Sequence, residues 1–391
     1  MKKYVKVKVL SVILVLSMIC GTMGVGASEM SVGSIDANAT LDLDCKSAIL
    51  MEASTGTVLY EHNADEALPP ASVTKIMTLL IVMEAIDSGA LKLDEQVSVS
   101  KNAASMGGSQ IFLEEGETMS VEDMLKSVII SSANDAAVAL AEHVAGSEEA
   151  FVQKMNARAA ELGMKNTYFE NTNGLDDTVT KHLTSARDIA LMSRELIKHE
   201  KILEYSSIWM DTIRNGEFGL TNTNRLVRFY NGATGLKTGS TAKAKFCVSA
   251  TAKRNGMHLI CVIMGAETRD ERNAIATKLL DYGFANYSLY TAVGQKLEEI
   301  KVVGGKENTC GISFADFNAV VAKGEENKIT ATLELQDNLI APVKMGDIAG
   351  KVVYKNGEKI VGEVKIMVTE NVEKINFADV LGRFFVKILI K

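Results

Sequence analysis

Three short groups of residues combine hydroxyl, amide and amine side chains at spacings that could serve one reaction: Ser72-Val73-Thr74-Lys75, Ser132-Ala133-Asn134 and Lys237-Thr238-Gly239. A serine hydroxyl is a poor nucleophile at neutral pH and needs an adjacent base. Residues three apart share a helix face, so Lys75 can lie beside Ser72. In a desolvated, cation-rich setting a lysine loses enough basicity to act as that base. Pro69-Pro70 just upstream sets Ser72 at or near a helix start, where unpaired backbone N–H groups can stabilise an oxyanion. Lys237 would add fixed positive charge, and Gly239 would let a substrate backbone come close to a strand edge. Ser132 and Asn134 could bring a hydroxyl and an amide into the same cleft. Together these residues describe acyl transfer through a covalent serine intermediate.

Ser-x-x-Lys by itself does not choose the nucleophile. Ser98 with Lys101 and Ser240 with Lys243 match it too, and Ser100-Lys101-Asn102 repeats Ser-x-Asn. Ser98 falls in an alternating, strand-like run, and Ser240 directly follows Lys237-Thr238-Gly239, so neither has the helix-start setting of Ser72. Taken alone, Ser132-Ala133-Asn134 would read as a solvated loop between helices.

The elements that must hold these groups are legible in the hydrophobic pattern. Residues 47–51 and 57–60 read as strands around a turn at Gly56. Ile76, Leu79, Leu80, Met83 and Ile86 recur at helical spacing up to Gly89. A helical stretch runs over 121–162, broken near Asn134 and Gly146, and Thr184 to Asp188 opens another helix like a cap. Strands are expected at 246–251 and 258–264, joined at Asn255-Gly256, and a helix at 275–282. This is an α/β sheet with a helical insertion. Beyond Val293 the pattern is all-β, with strands at 300–303, 329–335, 351–354 and 361–368 and turns at Gly304-Gly305 and Asn356-Gly357. Phe377, Val380, Leu381, Phe384, Phe385, Ile388 and Leu389 then form one helical stripe beside Lys374, Arg383, Lys387 and Lys391, a basic amphipathic helix suited to a membrane interface.

The 391 residues, 47% hydrophobic and 23% charged, are those of an ordinary globular chain, and a net charge of −7 gives no reason to expect nucleic acid. Lys2, Lys3, Lys6 and Lys8, an apolar stretch over 9–19 and Val25-Gly26-Ala27 make an export signal cleaved after Ala27. Ile19 before Cys20 is too bulky for a lipoprotein signal. The expected organisation is signal 1–27, leader 28–40, catalytic domain 41–290, β domain 293–372 and terminal helix 373–391. Cys45, Cys247, Cys261 and Cys310 are too dispersed for a stapled framework. With Asn255-Gly256 as a two-residue turn, Arg254 faces Met257 and Cys247 faces Met264, which puts Cys247 and Cys261 on opposite sheet faces as buried free thiols. His62, His143, His182, His199 and His258 are scattered, without metal-ligand spacing, and read as surface or packing residues. No nucleotide-binding loop is present, so no cofactor is expected.

The ordered set resembles the penicillin-recognising serine enzymes. The stretch from Pro70 to Thr78 is similar to the nucleophile segment of their low-molecular-mass members, the D-alanyl-D-alanine carboxypeptidases. Leu162-Gly163-Met164, Asn173-Gly174-Leu175 and Thr184 to Asp188 also resemble that family. The likeness implies an antiparallel sheet flanked by helices with a helical insertion, followed by a small β domain. It implies that Ser72 attacks the bond between two D-alanines of a peptidoglycan stem peptide, with Lys75 as base and Ser132 relaying a proton to the leaving amine. Asn134 would hold the substrate amide, Lys237, Thr238, Gly239 and Thr241 would bind substrate, and the N–H groups of Ser72 and Ser240 would form the oxyanion hole. β-Lactams would inhibit covalently. Arg272 stands where family members carry an arginine for the substrate carboxylate, with Arg269 a nearby competitor. A basic position of some relatives is Thr223 here, for which Arg225 could substitute. A serine β-lactamase would need a deacylating glutamate. Glu170 lies in the right interval, but the following Asn171-Thr172 departs from the usual pattern. A non-catalytic wall-binding module would have no need of the intact set, and transpeptidation would use the same acyl-enzyme.

Overall fold

The computed structural model describes residues 41–177 and 179–389. The export signal and leader lie outside the described residues. The chain divides into two units between Asn286 and Tyr287.

The first unit is built on five antiparallel strands in the order β2-β1-β5-β4-β3: β1 (Ser47–Glu52), β2 (Val58–His62), β3 (Ala233–Thr241), β4 (Lys245–Arg254) and β5 (Met257–Ala266). All six residues of β1 are buried, because both faces of the sheet are covered. On one face Ile49, Met51, Ile260 and Val262 join the large helical core. On the other, Leu50 and Leu259 meet α6 (Arg269–Asn286), where a Cβ on Gly283 would come within 2.6 Å of Leu259 and 2.9 Å of Leu50. That helix starts well before the expected Ile275. A capping box explains it: Thr268 accepts from the Glu271 N–H, and Glu271 accepts from the Thr268 N–H.

The insertion carries α1 (Lys75–Asp87), α2 (Val121–Ile130), α3 (Asn134–Ala145), α4 (Glu148–Glu161) and α5 (Ala186–Leu196). Ser120, Ser147 and Ser185 cap α2, α4 and α5 through side-chain oxygens. Gly146 ends α3 at φ +84°. Every residue of α1 from Lys75 to Met83 is buried, so this helix has no solvent face over its first nine positions. Its opening lysine is therefore desolvated by the fold itself.

The hairpin at Asn255-Gly256 pairs Arg254 with Met257, as expected. The register then slips. Val248 pairs with Ile263 but Phe246 pairs with Ala266, so a bulge replaces the expected Cys247–Met264 pair, with Gly265 at φ +70°. Cys247 still joins the helical core, while Cys261 faces α6 and lies 3.9 Å from the Ala276 carbonyl; both are free thiols.

The second unit holds a five-stranded sheet whose centre is the hairpin Ile348–Asn356 and Lys359–Val368, turned at Asn356-Gly357. Its core includes Phe317 stacked on Tyr354 at 4.2 Å. The strand pair Tyr287–Ala292 and Phe317–Ala322 was not expected from the sequence. The final helix, α7 (Phe377–Leu389), leaves Phe377, Val380, Leu381, Phe384 and Phe385 exposed.

Candidate active site

Residues 71–74 form a 3-10 turn that leads into α1, so Ser72 lies one turn ahead of the α-helix proper. Ala71 holds φ at +48°, a conformation unfavourable for any residue with a Cβ. The Thr74 hydroxyl donates to the Ala71 carbonyl at 2.8 Å and ties the turn shut.

Lys75 Nζ lies 2.9 Å from Ser72 Oγ, 2.5 Å from Asn134 Oδ1 and 2.8 Å from the Asn173 carbonyl. The Asn134 amide cannot be turned round, because its Nδ2 donates to the Gly107 carbonyl at 2.7 Å. Burial holds the Lys75 ammonium well below the usual lysine range; the charge of Lys237 lowers it further, against a smaller opposing pull from Asp135.

Ser132 occupies the break between α2 and α3 at φ +65° and accepts from Lys237 Nζ at 2.9 Å. Lys237 also donates to the Thr238 carbonyl at 2.8 Å. Burial, with a further push from Arg272, brings Lys237 down to about 7. Asn134, two residues beyond Ser132, touches Lys75, so one break in the helical insertion reaches both lysines.

The glycines make this packing close. A Cβ on Gly239 would stand 2.8 Å from Pro70 O and Ser72 N and 2.9 Å from Val73 N. The glycine of Lys-Thr-Gly therefore admits the turn that carries Ser72, where the sequence pointed to an approaching substrate backbone. A Cβ on Gly174 would be 1.9 Å from the Ala71 carbonyl oxygen. The loop bearing Gly174 is tied by its own side chains: Asn171 accepts from the Gly174 N–H and Asn173 from the Leu175 N–H. That loop delivers the Asn173 carbonyl to Lys75.

Ser72, Lys75 and Asn134 thus form one contacting set and Ser132 and Lys237 another, brought together by the break that carries Ser132 and Asn134 and by Gly239 lying against the Ser72 turn. Thr238 Oγ1 donates to Thr223 Oγ1 and Thr241 Oγ1 to Asp176, while Ser240 is exposed. Arg272 is only 2% exposed; it donates to Asn273 Oδ1 and, at 3.4 Å, to the carbonyl of Cys247, the register partner of Gly239. It lies beneath the strand. Arg269 and Arg225 are exposed, and Arg225 faces Asp270 at 3.8 Å. Of the decoys, Ser98 ends a short strand, and Ser100 caps the turn beginning at Lys101 through the Ala103 N–H. Glu170 turns its carboxylate to the Thr180 and Lys181 N–H groups, which leaves it unsuited to activating a water.

Sequence reasoning missed two supports. Asn173 holds Lys75 through its backbone, and a carbonyl leaves no side-chain signature. Buried Asp135 accepts from the Ile111, Leu113 and Ala136 N–H groups and fixes the loop lying on Asn134; an acid directly after Ser-x-Asn was the available signal.

Residues 34–268 match the family model described as D-alanyl-D-alanine carboxypeptidase, and residues 284–374 match that of the penicillin-binding protein 5 C-terminal domain. The chain is 44% identical over 347 residues to D-alanyl-D-alanine carboxypeptidase DacF of Bacillus subtilis, covering 87% of this chain and 89% of that one. The crystal structure of penicillin-binding protein 5 from Haemophilus influenzae superposes with a TM-score of 0.76 at 32% identity, over 86% of this chain and 99% of the other. Penicillin-Binding Protein D2 of Listeria monocytogenes in its ampicillin-bound form gives a TM-score of 0.58 at 33% identity, over 63% of this chain and all of that one.

Proposed function

Since this chain belongs to the D-alanyl-D-alanine carboxypeptidase family, we propose a residue-by-residue account of how it cuts the bond between two D-alanines. The protein is a serine-type carboxypeptidase that removes the terminal D-alanine of peptidoglycan stem peptides through an acyl-enzyme and is inhibited by penicillins.

The contacts of Lys75 carry the account. A neutral amine has two N–H bonds and one lone pair. Asn134 Oδ1 and the Asn173 carbonyl can only accept, so they take the two N–H bonds. The lone pair is left for the third partner, the Ser72 hydroxyl at 2.9 Å. Lys75 withdraws that proton as Ser72 Oγ attacks the D-alanyl carbonyl, and the N–H groups of Ser72 and Ser240 receive the oxyanion. Ser132, held by Lys237, passes its proton to the leaving D-alanine nitrogen and takes in its place the one Lys75 holds, which leaves Lys75 neutral again. Water then attacks the acyl carbon and gives a proton to Lys75, which hands it to Ser72 Oγ as the ester bond breaks, so that both groups return to their starting state. Asn134, Thr238, Gly239 and Thr241 line the path of the stem peptide. Arg272, being buried, serves the substrate carboxylate by the positive potential it adds to Lys237 and the strand.

Cleavage after Ala27 exports the protein, and α7 then lies in the lipid–water interface on the extracytoplasmic face of the cell membrane. Support comes from its exposed Phe377, Val380, Leu381, Phe384 and Phe385. Among the described residues no helix is long and apolar enough to cross a membrane.

Incubation with a fluorescent penicillin and, separately, a D-Ala-D-Ala peptide tests the account. The expected outcome is covalent label on Ser72, D-alanine release, and loss of both in Ser72→Ala. Rapid penicillin turnover without D-alanine release would indicate a β-lactamase, and no reaction with either would leave only a binding module.

A further inference from the structure

His182 belongs to none of the three motifs, yet it is 5% exposed and sits behind the nucleophile's turn. The direction of its hydrogen bonds can be worked out from its partners. The Glu170 backbone N–H, which can only donate, lies 3.0 Å from His182 Nδ1. The ring proton of the neutral imidazole is therefore on Nε2 and is donated to Thr74 Oγ1 at 2.7 Å. Thr74 then gives its own proton to the Ala71 carbonyl at 2.8 Å. Three hydrogen bonds run in series from Glu170 to Ala71, all pointing one way. That carbonyl shares a planar, trans peptide with the Ser72 N–H, so whatever fixes the direction of one fixes the other. The strained φ of +48° at Ala71 shows that this plane is held by its surroundings and not by backbone preference.

We propose that His182 is a positioning residue for acylation: acting through Thr74, it sets the Ala71–Ser72 peptide so that the Ser72 N–H points at the developing oxyanion. The inference rests on Ser72 as the acylated residue. Burial keeps the ring neutral by bringing it down to about 4, against opposing pulls from the carboxylates of Glu170 and Asp176; Phe169 packs edge-on against the ring at 5.7 Å. Because an oxyanion exists only after attack, the contribution falls on the acylation step and not on binding.

The test measures acylation by a fluorescent penicillin as a function of its concentration, in the purified protein and in His182→Phe, His182→Gln, Thr74→Val and the His182→Phe/Thr74→Val double variant. His182→Phe and Thr74→Val should each slow the saturating rate roughly tenfold or more at an unchanged half-saturating concentration. Glutamine supplies one acceptor and one donor, as the neutral imidazole does, and should restore the rate to within about threefold. The double variant should be no slower than the slower single one, since both break one chain. Equal rates in His182→Phe and His182→Gln, or additive losses in the double variant, overturn the proposal. Should His182→Phe not fold, Thr74→Ser against Thr74→Val makes the same comparison, and equal rates there overturn it as well. If the unsubstituted protein takes no label at Ser72, it is the functional account beneath that has failed.

Discussion

Gly239→Ala separates two roles that a glycine in Lys-Thr-Gly could have. The added Cβ would meet Pro70 O, Ser72 N and Val73 N at 2.8–2.9 Å, and all three are backbone atoms that cannot swing aside. Ordinary contact for a Cβ begins near 3.4 Å, so strand and turn must part by roughly half an ångström. Misplacing reacting groups by about 1 Å can cost about a hundredfold, so a loss of about tenfold or more is expected. The same overpacking should cost roughly 1–3 kcal/mol of stability, seen as a lowered Tm. The assay compares two acylating agents: a D-Ala-D-Ala stem peptide, which must lie along the strand, and a small serine-directed phosphonate, which need not. A Cβ that displaces the nucleophile's turn slows both by the same factor. Loss confined to the peptide would refute this reasoning and return the glycine to the substrate-access role that the sequence indicated.

Lys237→Met should abolish D-alanine release yet stabilise the fold near neutrality. With a folded-state value of about 7 against about 10.5 unfolded, the unfolded chain binds more protons between those pH values, so the wild type gains stability as pH rises through that window, by up to roughly 5 kcal/mol. A melting difference that stays constant from pH 6 to pH 10 would contradict it. The pH profile of kcat/KM should be bell-shaped: its acid limb reports protonation of Lys75, and its alkaline limb, starting near pH 7, loss of charge on Lys237. Lys237→Arg should keep substrate binding while moving that alkaline limb upward, and an unmoved limb would assign it to another group. Deleting residues 374–391 should release the protein from sedimenting phospholipid vesicles without changing penicillin acylation, whereas persistent sedimentation would count against the interfacial helix.

Much of this site was readable because side-chain chemistry leaves marks at fixed offsets. Pro69-Pro70 and the helical spacing that follows pointed to Ser72 over Ser98 and Ser240, and the structure sets Ser72 against Lys75. The Asn255-Gly256 turn set the hairpin register as far as Val248. The reading failed where backbone geometry decides. The bulge at Cys247 depends on Gly265 taking a positive φ, and nothing in an apolar run announces a skipped residue. The strained Ala71, the Asn173 carbonyl on Lys75 and the true neighbours of Gly239 are properties of main-chain packing between segments far apart in sequence. His182 looked like a packing residue because its partner Thr74 lies 108 positions away. Thr268 and Glu271 are a different case: the capping box was present in the sequence and was passed over.

Strand β3 closes the sheet on one side, paired with β4 alone among the described strands. On the proposed account the stem peptide lies along the Thr238 to Thr241 end of that edge, so the usual protection of covering it with another strand is denied there. An uncovered edge is also where a second chain can add itself and start an aggregate. The edge ends in Thr238, Gly239, Ser240 and Thr241, small and mostly polar residues that are poor templates for apolar association, and Gly239 is backed directly by the Ser72 turn. The positions that the proposed account gives to substrate would then also guard the edge, and enlarging or greasing them to suit a new substrate would risk self-association before it changed specificity.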